Sequence, residues 1–192
     1  MKSHFFAYMA RMKWIKRWGL RRNTQEENDQ EHSLQVAMIA HALAIFRNGR
    51  YGGGVDVGRV LELAVYHEAP EVITGDLASP IKYFNAGIKH AFQDIEHMAS
   101  RQLLGYLPED FQARFESILF PDTQSAEWRL VKAADKISAY VKCVEELGFG
   151  NDEFVRAEAS IRAEIEALQM PEVNDFMEIF VPSFSLPLDA LN

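Results

Sequence analysis

At 192 residues with 48% hydrophobic content, the chain has the length of one domain and enough apolar mass for a substantial core. Its net charge is −8, yet Lys2, Arg11, Lys13, Lys16, Arg17, Arg21 and Arg22 all precede the first acidic residue, Glu26, so the remainder is more acidic still and a poor match for polymeric nucleic acid. No stretch reaches the ~18 uninterrupted apolar residues of a membrane span. The start lacks a signal-peptide pattern and Cys143 is the only cysteine, so a cytoplasmic protein without disulfides or membrane attachment is expected.

Phe5, Phe6, Met9, Met12, Ile15 and Trp18 recur at three-to-four spacing, which predicts a helix from about His4 to Trp18, ended by Gly19. This helix is basic and amphipathic, but an aromatic stripe of this kind is more often buried core than a membrane-surface face. Arg21 to Gln30 reads as a polar loop with helix-capping residues at its end. A helix follows to about Arg47, with Leu34, Ala37, Met38, His41 and Ile45 on its expected core face and His32 near its first turn. The four glycines between Asn48 and Gly54 mark a turn, after which Asp56 caps a helix running to His67, disturbed by Pro70.

Gly75 to Asn85 is a loop rich in Gly, Asp, Ser and Pro. Four further helices are expected over Asn85 to Leu104, Pro108 to Leu119, Ser125 to Leu147 and Asp152 to Leu168. In the third, Leu130, Ala133, Ala134, Ile137, Tyr140 and Val141 form an inward stripe with Asp135 beside it. No alternating β pattern or repeat occurs, so the fold class is all-α and the chain a single domain. The apolar, proline-interrupted tail over 172–192 packs on that domain or forms a subunit interface.

The densest chemistry lies in His67-Glu68-Ala69-Pro70-Glu71. On a helix His67 and Glu71 stand one turn apart, with Glu68 about 100° round the axis. An imidazole and carboxylate site needs three or four ligands, so other helices must contribute, and His32 and Asp135 are the candidates. If Asp135 faces inward, its carboxylate needs a cation or donors, for which a salt bridge with a nearby Lys or Arg is the simple alternative. The zinc-peptidase pattern H-E-x-x-H does not apply, because position 71 is Glu and Pro70 breaks the helix.

The order His32, His67-Glu68, Asp135 resembles the H…HD…D pattern of HD-domain phosphohydrolases, with Glu68, one methylene longer, where the pattern has Asp. Arg17-Trp18, Glu31-His32-Ser33-Leu34-Gln35-Val36-Ala37, Thr74-Gly75-Asp76-Leu77, Pro80-Ile81-Lys82-Tyr83-Phe84-Asn85 and the tail from Phe176 to Phe184 resemble the bacterial 5'-deoxynucleotidases of the YfbR type over nearly the whole chain. The resemblance implies an HD-type helical bundle and a homodimer that hydrolyses deoxyribonucleoside 5'-monophosphates by attack of a metal-bound water. It implies a divalent transition metal such as cobalt or manganese on His32, His67, Glu68 and Asp135. The substrate contacts it implies are Arg17, Trp18, Glu68, Asp76, Leu77, Ala78, Ser79 and Asp135.

Glu71 is the candidate general acid or base and Arg17 the phosphate-orienting cation. For Glu71 the simple alternative is a surface carboxylate, and for Asp76 a turn or cap residue. Other readings are an HD-type hydrolase of a cyclic nucleotide, a nucleoside triphosphate or an alarmone, or a nucleotide-binding module without catalysis. Polyphosphate substrates need more cations than Arg17 and Lys82 supply.

Overall fold

The computed structural model describes residues 2–82 and 84–191. Tyr83, within one of the motifs above, lies outside them. Among the described residues all regular structure is helical, and one isolated antiparallel bridge joins Lys16 to Asn28.

Local sequence sets the helix starts. Asn28 caps α2 (Asp29–Arg50) by accepting from the Gln30 and Glu31 amides, while Glu31 reaches back to the Asn28 amide in a reciprocal capping box. Asp56 caps α3 (Val57–Tyr66), Asn85 caps α6 (Ala86–Gly105) and Ser125 caps α8 (Ala126–Gly148), each accepting from an amide three residues on. Between α3 and α6 the chain makes two single turns, α4 (Glu71–Thr74) and α5 (Ser79–Lys82). Gly75 separates them at φ 72° and ψ 164°, a conformation open only to glycine. The remaining helices are α7 (Glu109–Leu119), α9 (Val155–Glu166) and α10 (Pro171–Ile179).

The main core lies between α2, α3, α8 and α10, where Val36, Leu43, Leu63, Leu130, Ile137 and Val173 are fully or almost fully buried. Phe176 and Val181 join it, so the front of the C-terminal tail packs on the domain. Leu188 and Leu191 stay exposed. A second cluster joins Phe5 of α1 (Phe5–Met9) to Leu103, Leu107 and Leu119. A third sets Cys143 against Phe154 and Ala157, with Trp18 packed on it.

Two expectations fail. The helix expected over His4 to Trp18 is instead α1, a 3-10 turn at Met12–Trp14 and an extended strand-like segment from Ile15. Its apolar residues serve separate clusters, Phe5 the second and Trp18 the third, and a straight helix would hold those two residues ~20 Å apart along its axis. On α2 the expected core face is mostly the outer one: Leu34, Met38 and Ile45 are more than half exposed and His41 is exposed, with Ala37 alone of the five buried. The true inner face carries His32, Val36, Ile39, Ala40, Leu43 and Ala44, whose alanines permit close approach of α3 and α8.

Candidate metal centre

Three helices converge on one point. His32 comes from the first turn of α2, Asp135 from the middle of α8, and His67 with Glu68 from the turn after α3. One ligand atom from each of His32, His67, Glu68 and Asp135 lies within 4.8 Å of the others. His32 Nε2 is 3.1 Å from Asp135 Oδ1 and 3.8 Å from Glu68 Oε1, while His67 Nε2 is 3.3 Å from Glu68 Oε1 and 3.9 Å from Asp135 Oδ1. Atoms bound ~2.1 Å from one tetrahedral ion lie ~3.4 Å apart, so these spacings suit a shared cation.

The hydrogen bonds around the imidazoles turn lone pairs toward that point. His67 Nδ1 donates to the Ala64 carbonyl at 2.7 Å, which leaves Nε2 as the lone-pair nitrogen; it is buried with no hydrogen-bond partner. The Ser138 hydroxyl spends its proton on Gln35 Oε1 at 2.6 Å, so at 3.1 Å it accepts from His32 Nδ1. His32 Nε2 is then a second lone pair, directed at a carboxylate oxygen. Burial, with the Arg17 charge, lowers the His32 pKa and favours the neutral, ligating ring. Two lone-pair nitrogens facing two carboxylates form a donor set that a divalent cation completes.

Burial works against the charge of Glu68, but the His67 ring whenever it carries a proton, and the permanently charged Arg17 guanidinium, hold its carboxyl well below the usual range. Asp135 also stays well below the usual range despite burial, aided first by Lys132 and, whenever its ring is protonated, by His32; the neighbouring lysine of the simple alternative is thus in place.

Arg17 stands over the cluster, with Nη1 3.5 Å from Glu68 Oε1 and 3.8 Å from Asp29 Oδ1, and Nε 3.4 Å from Glu27 Oε2. Burial opposes its charge, yet the surrounding carboxylates raise its pKa further. Glu71 is buried, not a surface carboxylate. Burial and the charges of Glu68, Asp29 and Asp76 push it up to about 11, and burial with Glu68 pushes Asp29 up to about 7. Burial also raises Asp76, against the pull of Arg17. A cation entering the cluster acts in the opposite sense on all three.

Trp18 is turned aside: its indole donates to Glu27 Oε2 at 3.0 Å and packs on Phe154 with ring centroids 5.3 Å apart. Leu77 and Ala78 are half-buried after Asp76, and Ser79 is exposed at the start of α5. The sequence reading missed four polar residues. Asp29 is fully buried with neither carboxylate oxygen hydrogen-bonded, Glu27 joins Arg17 to Trp18, and Gln35 with Ser138 fixes the His32 ring. Ser138 lies one turn beyond Asp135, a spacing that could have marked it; Glu27 has no such signal.

The family model described as 5'-deoxynucleotidase YfbR-like matches residues 4–184. The chain belongs to the YfbR-like family. It is 48% identical over 192 residues to the 5'-deoxynucleotidase YfbR of Escherichia coli O1:K1, a match spanning 100% of this chain and 96% of that protein. Among solved structures, an HD-domain phosphohydrolase from Listeria innocua superposes with a TM-score of 0.81 at 23% identity, over 94% of this chain and 88% of that one. The HD phosphohydrolase DatZ of cyanophage S-2L, bound to dA and one catalytic Zn2+ ion, superposes with a TM-score of 0.62 at 19% identity, over 93% and 95%. These two likenesses identify the fold as the HD-domain helical bundle.

Proposed function

We propose that the chain is a metal-dependent phosphoric monoester hydrolase that converts deoxyribonucleoside 5'-monophosphates to deoxyribonucleosides and phosphate. The observation that carries the reading is the buried, unpartnered Nε2 of His67 inside a cluster of four ligand atoms no more than 4.8 Å apart, in a chain whose full-length relatives are 5'-deoxynucleotidases.

His32, His67, Glu68 and Asp135 would hold one divalent transition ion, such as cobalt or manganese. When bound, that ion withdraws charge from a phosphoryl oxygen and lowers the pKa of water from 15.7 toward ~7. The Arg17 guanidinium, 3.5 Å from Glu68, binds the phosphate oxygens through charge-assisted hydrogen bonds and aligns phosphorus for attack. Water adds to phosphorus as the bond to the sugar 5'-oxygen breaks. Glu71, buried beside Glu68 and Asp29, handles the proton, donating to the departing oxygen as an acid or taking the proton of the attacking water as a base. Trp18, Asp76, Leu77, Ala78 and Ser79 border the nucleoside.

We extend the proposal to a homodimer in the cytoplasm. Leu34, Met38 and Ile45 place an apolar stripe on the outer face of α2, a surface that a second copy would cover. Sedimentation equilibrium showing only monomer would refute that part. Among the described residues no helix is long and apolar enough to cross a membrane, and Cys143 is buried and unpaired.

The test is phosphate release from deoxy- and ribonucleoside 5'-monophosphates, a nucleoside triphosphate and a cyclic nucleotide, each with several added metals. Metal-dependent release from the deoxy monophosphates, well above their ribose counterparts, is the expected result. Preference for a triphosphate or cyclic substrate, or metal binding without turnover, would overturn it.

A further inference from the structure

The segment 15–28 carries Arg17 to the metal cluster as a loop tied at two places. At its base Arg17 N donates to the Glu27 carbonyl at 3.0 Å and Asp29 N to the Ile15 carbonyl at 3.1 Å, around the Lys16 to Asn28 bridge. Its far end is held by a buried ionic cluster on α8. The Glu146 carboxylate accepts from Thr24 N at 2.9 and 3.1 Å, from Gln25 N at 3.0 Å and from Asn151 Nδ2 at 2.8 Å. Lys142 Nζ donates to Glu146 Oε1 at 2.5 Å and also to the Gln25 carbonyl. Asn151 Nδ2 reaches the Arg22 carbonyl at 2.8 Å, and the Arg22 amide donates to Glu153 Oε2 at 2.7 Å. Glu146 is fully buried and Lys142 is 5% exposed.

Arg17 itself is weakly held. Its Nε is buried without a hydrogen-bond partner, and its ion pairs span 3.4 to 3.8 Å. A guanidinium with contacts that long takes its position from its backbone. That backbone is strained, since Trp18, the next residue, sits at φ 60°, a left-handed conformation that a bulky side chain keeps only when its surroundings impose it. The imposing groups are the base pairing, the Trp18 indole's own hold on Glu27 and Phe154, and, through the far end of the loop, the Glu146 cluster.

We propose that Glu146, paired with Lys142, is a positioning residue for the hydrolysis: it anchors the 15–28 loop so that Arg17 meets the substrate phosphate, and it touches neither metal nor substrate. This rests on the reading of Arg17 as the phosphate ligand. An ordinary buried ion pair would serve stability alone, whereas here the carboxylate, besides accepting from Lys142 and Asn151, takes the amides of Thr24 and Gln25 in the loop.

The experiment uses the full chain with Glu146→Gln and with the charge-neutral double variant Lys142→Met/Glu146→Gln, which keeps the test open should the single change unfold the protein. Four quantities are read: amide exchange at Thr24 and Gln25, metal content after loading with manganese, affinity for inorganic phosphate, and KM and kcat for dAMP. Both amides should exchange faster and metal content should not change. Phosphate affinity should fall and KM should rise about tenfold, the worth of one charge-assisted hydrogen bond, with a smaller fall in kcat as phosphorus is less well aligned. In an Arg17→Ala background the Glu146 change should have almost no further effect on phosphate affinity.

Unchanged exchange, unchanged phosphate affinity, or equal loss of metal would each overturn the proposal. So would additive losses with Arg17→Ala. If the wild-type chain hydrolyses no deoxynucleotide, the functional reading fails separately, while amide exchange and phosphate affinity still decide the anchor.

Discussion

Helix α8 carries two buried ionic clusters, and they are built on opposite plans. Asp135 belongs to the metal centre and Lys142 to the loop anchor, two turns further along the helix. In the anchor the charges are of both signs and hydrogen-bonded: burial opposes the Glu146 charge, but Lys142, Asn151 and the amides of Gln25 and Thr24 bring its pKa down to about 2. In the metal centre acidic groups predominate and hydrogen bonds are missing at His67 Nε2, at both oxygens of Asp29 and at Glu71 Oε2. Where burial has been matched by partners, the polar group is scaffold. Where orphaned atoms cluster beside two histidines and two carboxylates, the group could hold a metal ion.

The sharpest way to break this contrast is to remove a ligand. His67→Ala should abolish hydrolysis and weaken metal binding by more than about 100-fold, since even groups behind the ligands are worth 10- to 100-fold; full metal content by elemental analysis would contradict the assigned centre. Glu71→Gln should lower kcat by roughly 10²- to 10⁴-fold, the usual worth of a general acid or base, with the metal retained. Equal loss of metal would make Glu71 a ligand and not a proton-handling group.

The smallest effect concerns pH, where the two clusters have opposite signs. Glu146 has a depressed pKa, so its stabilisation is full above about 4.5 and is lost as pH falls toward 2. Glu71 is raised to about 11, so the metal-free fold binds a proton that the unfolded chain releases above about 4.5, and stability falls as pH rises from there. Thermal melts of metal-free protein should therefore decline on both sides of mildly acidic pH. Saturating manganese should flatten only the alkaline side; an unchanged alkaline slope would separate Glu71 from the metal centre.

Much of this was legible along the chain. Asn28, Asp56, Asn85 and Ser125 announce their helices because capping is a matter of residues two or three positions apart. His32, His67, Glu68 and Asp135 stood out as polar residues in apolar-periodic settings, and the structure gathers them. The inner face of α2 was misread because apolar residues surround that helix; Leu34 and Met38 carry more hydrophobic area than Ala40 and Ala44, but the alanines are what neighbouring helices approach. Glu27, Asp29 and Glu146 looked like ordinary charged residues near helix ends, and nothing local distinguishes a buried one.

Sequence alone determined where the capped helices α2, α3, α6 and α8 begin and which residue types could serve as ligands, because capping, periodicity and donor type are properties of residues and their near neighbours. Tertiary structure alone decided the burial of Glu71 among acidic groups, the outward face of α2 and the hold of Glu146 on the Arg17 loop, separated by more than 120 residues. Each of those depends on which groups are excluded from water together, and that is settled only when distant segments pack.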